Sequence, residues 1–359
     1  MQVTLANWRT APFNRWAFHH VRELVPSADI AHDPARVRAL PRHEVDFAGI
    51  ELDGFIQATD TDGLAIVHRG RLVFERYANG MTDETPHILM SVSKSMLGIL
   101  AAEVGLERER RVTDHLPELV GTAYQTATLG HLLDMRAGIV WNEDYLASAG
   151  PIVEYRKATG WNPLAPGETP SDLKSFFQQL QKTEAHGGPV HYVSPNSDLL
   201  GWVVERATGR RYADLMSELV WKKVGAERSA YVTVDRLGAA RAAGGMCVTL
   251  RDLARAGQWL IEERADFLQG LRQGDADAWA AGDLVPYFKG LPLRYRSQWY
   301  MLDDEAPLVF GFGIHGQHLF IDPANTIVIA KVSSQAPPLD AARIALTVRA
   351  VSRMRKLLA

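Results

Sequence analysis

Ser91, Ser93, Lys94 and Ser95 interrupt an otherwise apolar run, ILMSVSKSMLGIL, at Ile88–Leu100. A serine hydroxyl is a weak nucleophile until a neighbouring base takes its proton. Ser91 and Lys94, three apart, share one face if a helix starts here. The Ser91 N–H at such a helix start would face a developing oxyanion. Lys94 can act as the base only where its surroundings lower its pKa, as apolar burial does, because an unpaired ammonium in a core is costly. The other role open to Ser91 is a helix cap. The same spacing recurs at Ser171 and Lys174 in TPSDLKSFF. There Ser171, after Pro170 and before Asp172 ahead of an apolar run, reads as a helix cap with an exposed lysine. What separates Ser91 from this second copy is its apolar setting.

Two further stretches carry residues of the right chemistry. In HYVSPNSDLLGWVVERATG, Tyr192, Ser194 and Asn196 alternate just before a helix. An extended segment would aim all three the same way, and a phenol near a lysine can relay a proton. GFGIHGQHLFID matches G-x-G-x-x-G at Gly311, Gly313 and Gly316. A dinucleotide fingerprint needs a helix after it, whereas QHLFID continues as strand, so that reading is rejected. Glycines in a strand instead let a backbone or ligand approach closely, as an oxyanion hole beside a nucleophile requires. No G-x-S-x-G elbow occurs, so His131 and His315 lack a triad nucleophile. His186, His191 and the His315 region show no metal-ligand spacing, and no metal is expected. Cys247 is the only cysteine, which leaves no internal disulfide and reads as a small buried residue; Met90 and Met246 read as core filler.

The elements that must position these residues follow from periodicity. LAIVHRGRLVFERYA holds two β-rich runs around an Arg-Gly turn, a hairpin. From Ser93 to about Val104 the pattern is helical and apolar nearly all round, as in a helix buried between lobes. Helical signals and long loops fill the middle of the chain. Strand signals then return in SQWYML, HLFID and TIVIAKVSS, with DPAN turning the last pair, and an amphipathic helix runs from about Leu339 to Leu357. The fold expected is α+β: an antiparallel sheet flanked by helices, built from residues 1–105 and 238–359 with 1–47 as an arm, and a mainly helical lobe at 106–237. A chain of 359 residues with net charge −3 has no basic footprint for nucleic acid. Without a basic, apolar leader or a run of about 18 apolar residues, a cytoplasmic protein with no membrane contact is expected.

These clusters, in this order, resemble the penicillin-recognising serine hydrolases with their Ser-x-x-Lys signature. The sequence is most similar to the esterase and class C β-lactamase branch, and especially to 6-aminohexanoate-dimer hydrolases. The resemblance runs through NRWAFHHVREL, SVSKS, LGHLLDMRAGIVWNEDY, YVSPNSDLLGWVVERATG, AAGGMCVTLRDLAR, YRSQWY and FGIHGQ. It implies a β-lactamase/transpeptidase-like fold and an acyl-enzyme on Ser91, with Lys94 as base and Tyr192 as proton relay. It makes Ser194 a contact to substrate and lysine. It assigns the second oxyanion N–H, beside that of Ser91, to Ile314, or to Gln317 in a register starting at His315. Asn196, Tyr145, Trp299, Gly313 and His315 are then expected around the substrate. No Lys-Thr-Gly occurs at the third motif, so the cation that greets a β-lactam carboxylate in many relatives is missing, with His315 a partial substitute. The activity implied is hydrolysis of a small ester or linear amide, without cofactor. A β-lactamase or acyltransferase of the same fold, and a silent scaffold, are the alternatives; homo-oligomers are left open.

Overall fold

The computed structural model describes residues 2–303 and 306–359. Its largest unit is a seven-stranded, wholly antiparallel sheet in the order β3-β2-β11-β10-β9-β8-β7. The strands are β2 (Thr61–His68), β3 (Arg71–Tyr77), β7 (Leu293–Arg296), β8 (Trp299–Leu302), β9 (Leu308–Gly313), β10 (Gln317–Asp322) and β11 (Ile327–Ser333). Both chain ends therefore meet in one sheet, β2 pairing with β11 along its length.

Strand alternation divides the interior in two. Ala65 and Val67 of β2 face one core with Leu319, Val328 and Ala330, whereas Leu64 and Ile66 face the other with Phe320 and Ile329. The first core is covered by the helices Val92–Val104 and Leu250–Glu263, the second by the C-terminal helix Ala341–Leu358. A sheet buried on both faces reads as nearly continuous apolar sequence, which is why β2, β10 and β11 do not alternate in polarity.

A second sheet was not foreseen. β1 (Ser27–Ile30), β5 (Ala230–Thr233), β6 (Met246–Val248) and β4 (His87–Ile88) form it in the order β1-β5-β6-β4. It joins the N-terminal arm to strands on either side of the boundary expected near residue 237. The arm adds its own core, Trp8, Phe18, Val21 and Val25 packing with Ile88, Met90 and Cys247. Four such strands of two to four residues, scattered through the chain, are too short for periodicity to mark.

The Val92–Val104 helix is buried from Val92 to Ala101. Gly98 lets it touch the β7–β8 turn: a Cβ there would lie 2.0 Å from the Ser297 carbonyl oxygen. Trp299, expected beside the substrate, is instead fully buried under this helix, its Nε1 donating to Ser95 O at 2.9 Å. The correction at Ser171 is one of position. Asp172, not Ser171, caps the short helix Leu173–Phe177, and Lys174 is half-buried over the Trp202 ring.

Candidate active site

β4 ends at Ile88, and the chain turns through Leu89 and Met90 into the helix, with Ser91 at its N-cap. Met90, read from sequence as filler, has φ 45°, a left-handed conformation that an unbranched side chain adopts only at a cost. This sharp turn presents Ser91 beside a pocket instead of in the core. One helical turn on, Lys94 is almost completely buried, with Nζ 2.9 Å from Ser91 Oγ, 3.1 Å from Ser194 Oγ and 2.8 Å from Ala243 O. Burial pushes its ammonium down to about 7, against the pull of the Glu143 carboxylate. The amine is thus poised to exchange a proton with Ser91 at neutral pH.

Tyr192 comes from the extended segment ahead of the helix Ser194–Thr208. Its backbone N–H is anchored on Asp283 Oδ2 at 3.1 Å, and its ring stands 4.9 Å from Lys94 Nζ. Burial raises its phenol above the ordinary range, an effect opposed by the hydroxyl of Ser91. Ser194 bridges Lys94 to a carboxylate: its hydroxyl and its N–H both donate to Glu143. The alternation expected from Tyr192 to Asn196 breaks because the helix already begins at Ser194. Asn196 is turned inward, fully buried, and accepts from the Tyr124 hydroxyl at 2.8 Å. It is a packing residue and does not line the cleft.

The Gly-rich third stretch brings the end of β9 against the Ser91 turn. A Cβ on Gly313 would lie 2.7 Å from Leu89 O and 3.0 Å from Ser91 N, so only glycine permits this approach. Among the described residues, neither the Ser91 N–H nor the Ile314 N–H has a hydrogen-bond acceptor. In the alternative register the N–H would be that of Gln317, which opens β10 opposite Gly313; its side chain is tied to Ile314 O and Ser333 O, and the intervening His315 N–H donates to Pro338 O at 2.8 Å. His315 has φ 62° and its Nδ1 lies 2.7 Å from Gln335 O. Burial lowers its pKa to about 4, so it is neutral at pH 7 and cannot stand in for the missing cation.

Ser91, Ser194, Tyr145 and Ile314 line an inner pocket with space of about 30 Å³, roughly one water. Tyr145 and Ile314 also line an outer cavity of about 540 Å³ that includes His315. Arg9 and Arg156 border both, and Arg241 the inner pocket. Arg241 is paired with the buried Asp198, while Arg156 donates to three loop carbonyls. Arg9 donates to Asn162 Oδ1 at 2.6 Å; burial and the charges of Arg156 and Arg241 push it down to about 9. The pocket is therefore electropositive.

Glu143, Asp198, Arg9 and Arg241 escaped the sequence reading. A usable signal existed for Asp198, a carboxylate within an apolar helix, which must be paired. The histidines weighed as metal ligands are apart in their bonding: His191 pairs with Asp283 at 2.8 Å, and His186 accepts from Gly138 N–H at 3.0 Å.

Comparison with known proteins accords with this frame. The Beta-lactamase family profile matches residues 52–352. The chain belongs to the Beta-lactamase family, and it is a serine hydrolase with the β-lactamase/transpeptidase-like fold. It is 34% identical over 352 residues to the 6-aminohexanoate-dimer hydrolase of Paenarthrobacter ureafaciens, covering 94% of this chain and 89% of that one. A Bacillus anthracis structure provisionally named 6-aminohexanoate-dimer hydrolase superposes with TM-score 0.89 at 25% identity, covering 99% of this chain and 97% of the other. An octameric penicillin-binding protein homologue from Pyrococcus abyssi shares the fold, with TM-score 0.64 at 16% identity over 86% of this chain and 78% of its own.

Proposed function

We propose that the chain hydrolyses an ester or linear amide, of the kind found in short 6-aminohexanoate oligomers, through an acyl-enzyme on Ser91. The observation that carries this reading is the buried Lys94 amine 2.9 Å from Ser91 Oγ, with a pKa brought down to about 7. Neutral Lys94 takes the Ser91 proton as Oγ attacks the carbonyl carbon. The carbonyl oxygen becomes an oxyanion held by the N–H groups of Ser91 and Ile314, in a pocket whose guanidinium groups favour negative charge. As the bond to the leaving oxygen or nitrogen breaks, the proton passes from Lys94 through Tyr192 to that atom. Water then attacks the acyl carbon, gives its proton to the same pair, and releases the acid with Ser91 restored. Ser194 and Glu143 hold the Lys94 amine toward Ser91. No step calls for a cofactor.

The inner pocket takes only a small group beside Ser91, and the outer cavity has the volume for a longer chain. That division supports a linear substrate. The test is intact-protein mass after brief exposure to a fluorophosphonate. A single adduct is expected, lost in Ser91→Ala and kept in Ser171→Ala. Labelling that survives Ser91→Ala would remove Ser91 as the nucleophile.

A further inference from the structure

Away from the cleft, three potential metal ligands converge from separate stretches: His19 of the arm, Asp62 near the start of β2, and His87 of β4. All are buried, with 7%, 1% and 0% exposure. One ligand atom from each lies within 4.8 Å of the others. Asp62 Oδ2 is 3.2 Å from His87 Nε2 and 3.6 Å from His19 Nε2. An ion bound tetrahedrally at about 2.0–2.1 Å separates its ligand atoms by roughly 3.3 Å, so these spacings bracket the edge of such a site.

Hydrogen bonding prepares the same atoms. His87 Nδ1 lies 2.8 Å from Ile88 O, a pure acceptor, which fixes a proton on Nδ1. In the neutral ring the Nε2 lone pair then points at a carboxylate. Ser334 Oγ donates to the other Asp62 oxygen at 3.1 Å, leaving Oδ2 for the cluster. His19 Nε2 is buried without a hydrogen-bond partner. A polar atom so placed is costly unless something occupies the space it faces. Outer partners that fix tautomer and carboxylate orientation are what metal-binding histidines and aspartates require.

We propose that His19, Asp62 and His87 bind one zinc-class divalent cation, with water at the fourth position. Two neutral imidazoles and one carboxylate suit zinc better than calcium or magnesium, which favour all-oxygen sites. The ion would clip the arm to both sheets. The Phe18 carbonyl already accepts from Ile88 N–H at 3.0 Å, and Asn14 Nδ2 donates to Ser334 O and Gln335 O. His87 opens the strand that leads to the Ser91 turn, so the clip would steady the nucleophile's support without touching substrate.

The test uses the full chain, stripped with a strong chelator, re-equilibrated with micromolar Zn2+ and freed of excess by gel filtration. Expected are about one zinc per chain and a Tm several degrees above the stripped protein, since an ion bound only to the folded state stabilises it. His19→Ala should lose at least about four-fifths of the bound zinc and the Tm gain, while fluorophosphonate labelling of Ser91 persists; His19→Gln serves if the alanine variant does not fold. Zinc well below one per chain in the wild type with no Tm change would overturn the site and leave a buried His–Asp ion pair. Equal zinc in wild type and His19→Ala, as surface histidines would give, would overturn it as well.

Discussion

At the scale of single residues, the Ser91–Lys94 pair turns on protonation. The Lys94 amine, lowered by burial to about 7, is charged and unable to accept the Ser91 proton at pH 6, and largely neutral at pH 8. The proposed mechanism therefore predicts that kcat/KM rises with pH through an acidic limb centred near 7; a flat profile from pH 6 to 8 would exclude Lys94 as base. Tyr192→Phe keeps the buried ring and removes only the hydroxyl. Turnover should fall by roughly 10²–10⁴-fold, the usual worth of a proton-transfer group, with Tm little changed. Steady-state kinetics beside a thermal melt would check this, and unaltered kcat would defeat the relay.

At the scale of elements, the site depends on how closely β9 approaches the turn before the helix Val92–Val104. Gly313 has extended backbone angles, so alanine is conformationally permitted there, and the obstacle is its Cβ against Leu89 O, Gln317 Cβ and Ser91 N. Gly313→Ala should push the Ile314 N–H away from Ser91 and lower kcat by at least about tenfold with less effect on KM, because oxyanion contacts strengthen in the transition state. Equal kcat in the variant would mean that Ile314 does not serve the oxyanion. The helix Ser194–Thr208 makes a complementary point. Starting at Ser194, it delivers Ser194 to Lys94 and turns Asn196 into the core, a choice set by one residue of helix boundary.

At the scale of the whole molecule, the parts are held together by buried charge as well as by apolar packing. Arg241, in the stretch returning from β5 to β6, pairs with Asp198 of the Ser194–Thr208 helix, which also accepts from the Tyr155 hydroxyl and from Ala243 N–H. Ala243 in turn offers its carbonyl to Lys94. Arg241→Ala would leave Asp198 buried without its counter-charge. A loss of about 3 kcal/mol or more in a denaturant titration is expected, as for other broken buried pairs. A change under about 1 kcal/mol would show that the tyrosine and backbone donors suffice. Among the described residues, no helix is long and apolar enough to cross a membrane.

Sequence alone determined the local features whose causes are local. Apolar runs and turn residues marked the β2–β3 hairpin, the buried helix after Ser91, the strands β8, β10 and β11, and the C-terminal helix, because periodicity and turn chemistry act over a few residues. The apolar setting of Ser91 and Lys94 separated them from the Ser171 copy for the same reason. Tertiary structure decided what depends on distant contacts. It buried Trp299 and Asn196, set Ser194 on Glu143, placed Arg241 on Asp198, built a second sheet from strands of two to four residues, and gathered His19, Asp62 and His87. None of these carries a local pattern, since each is fixed by desolvation and by partners far away in the chain.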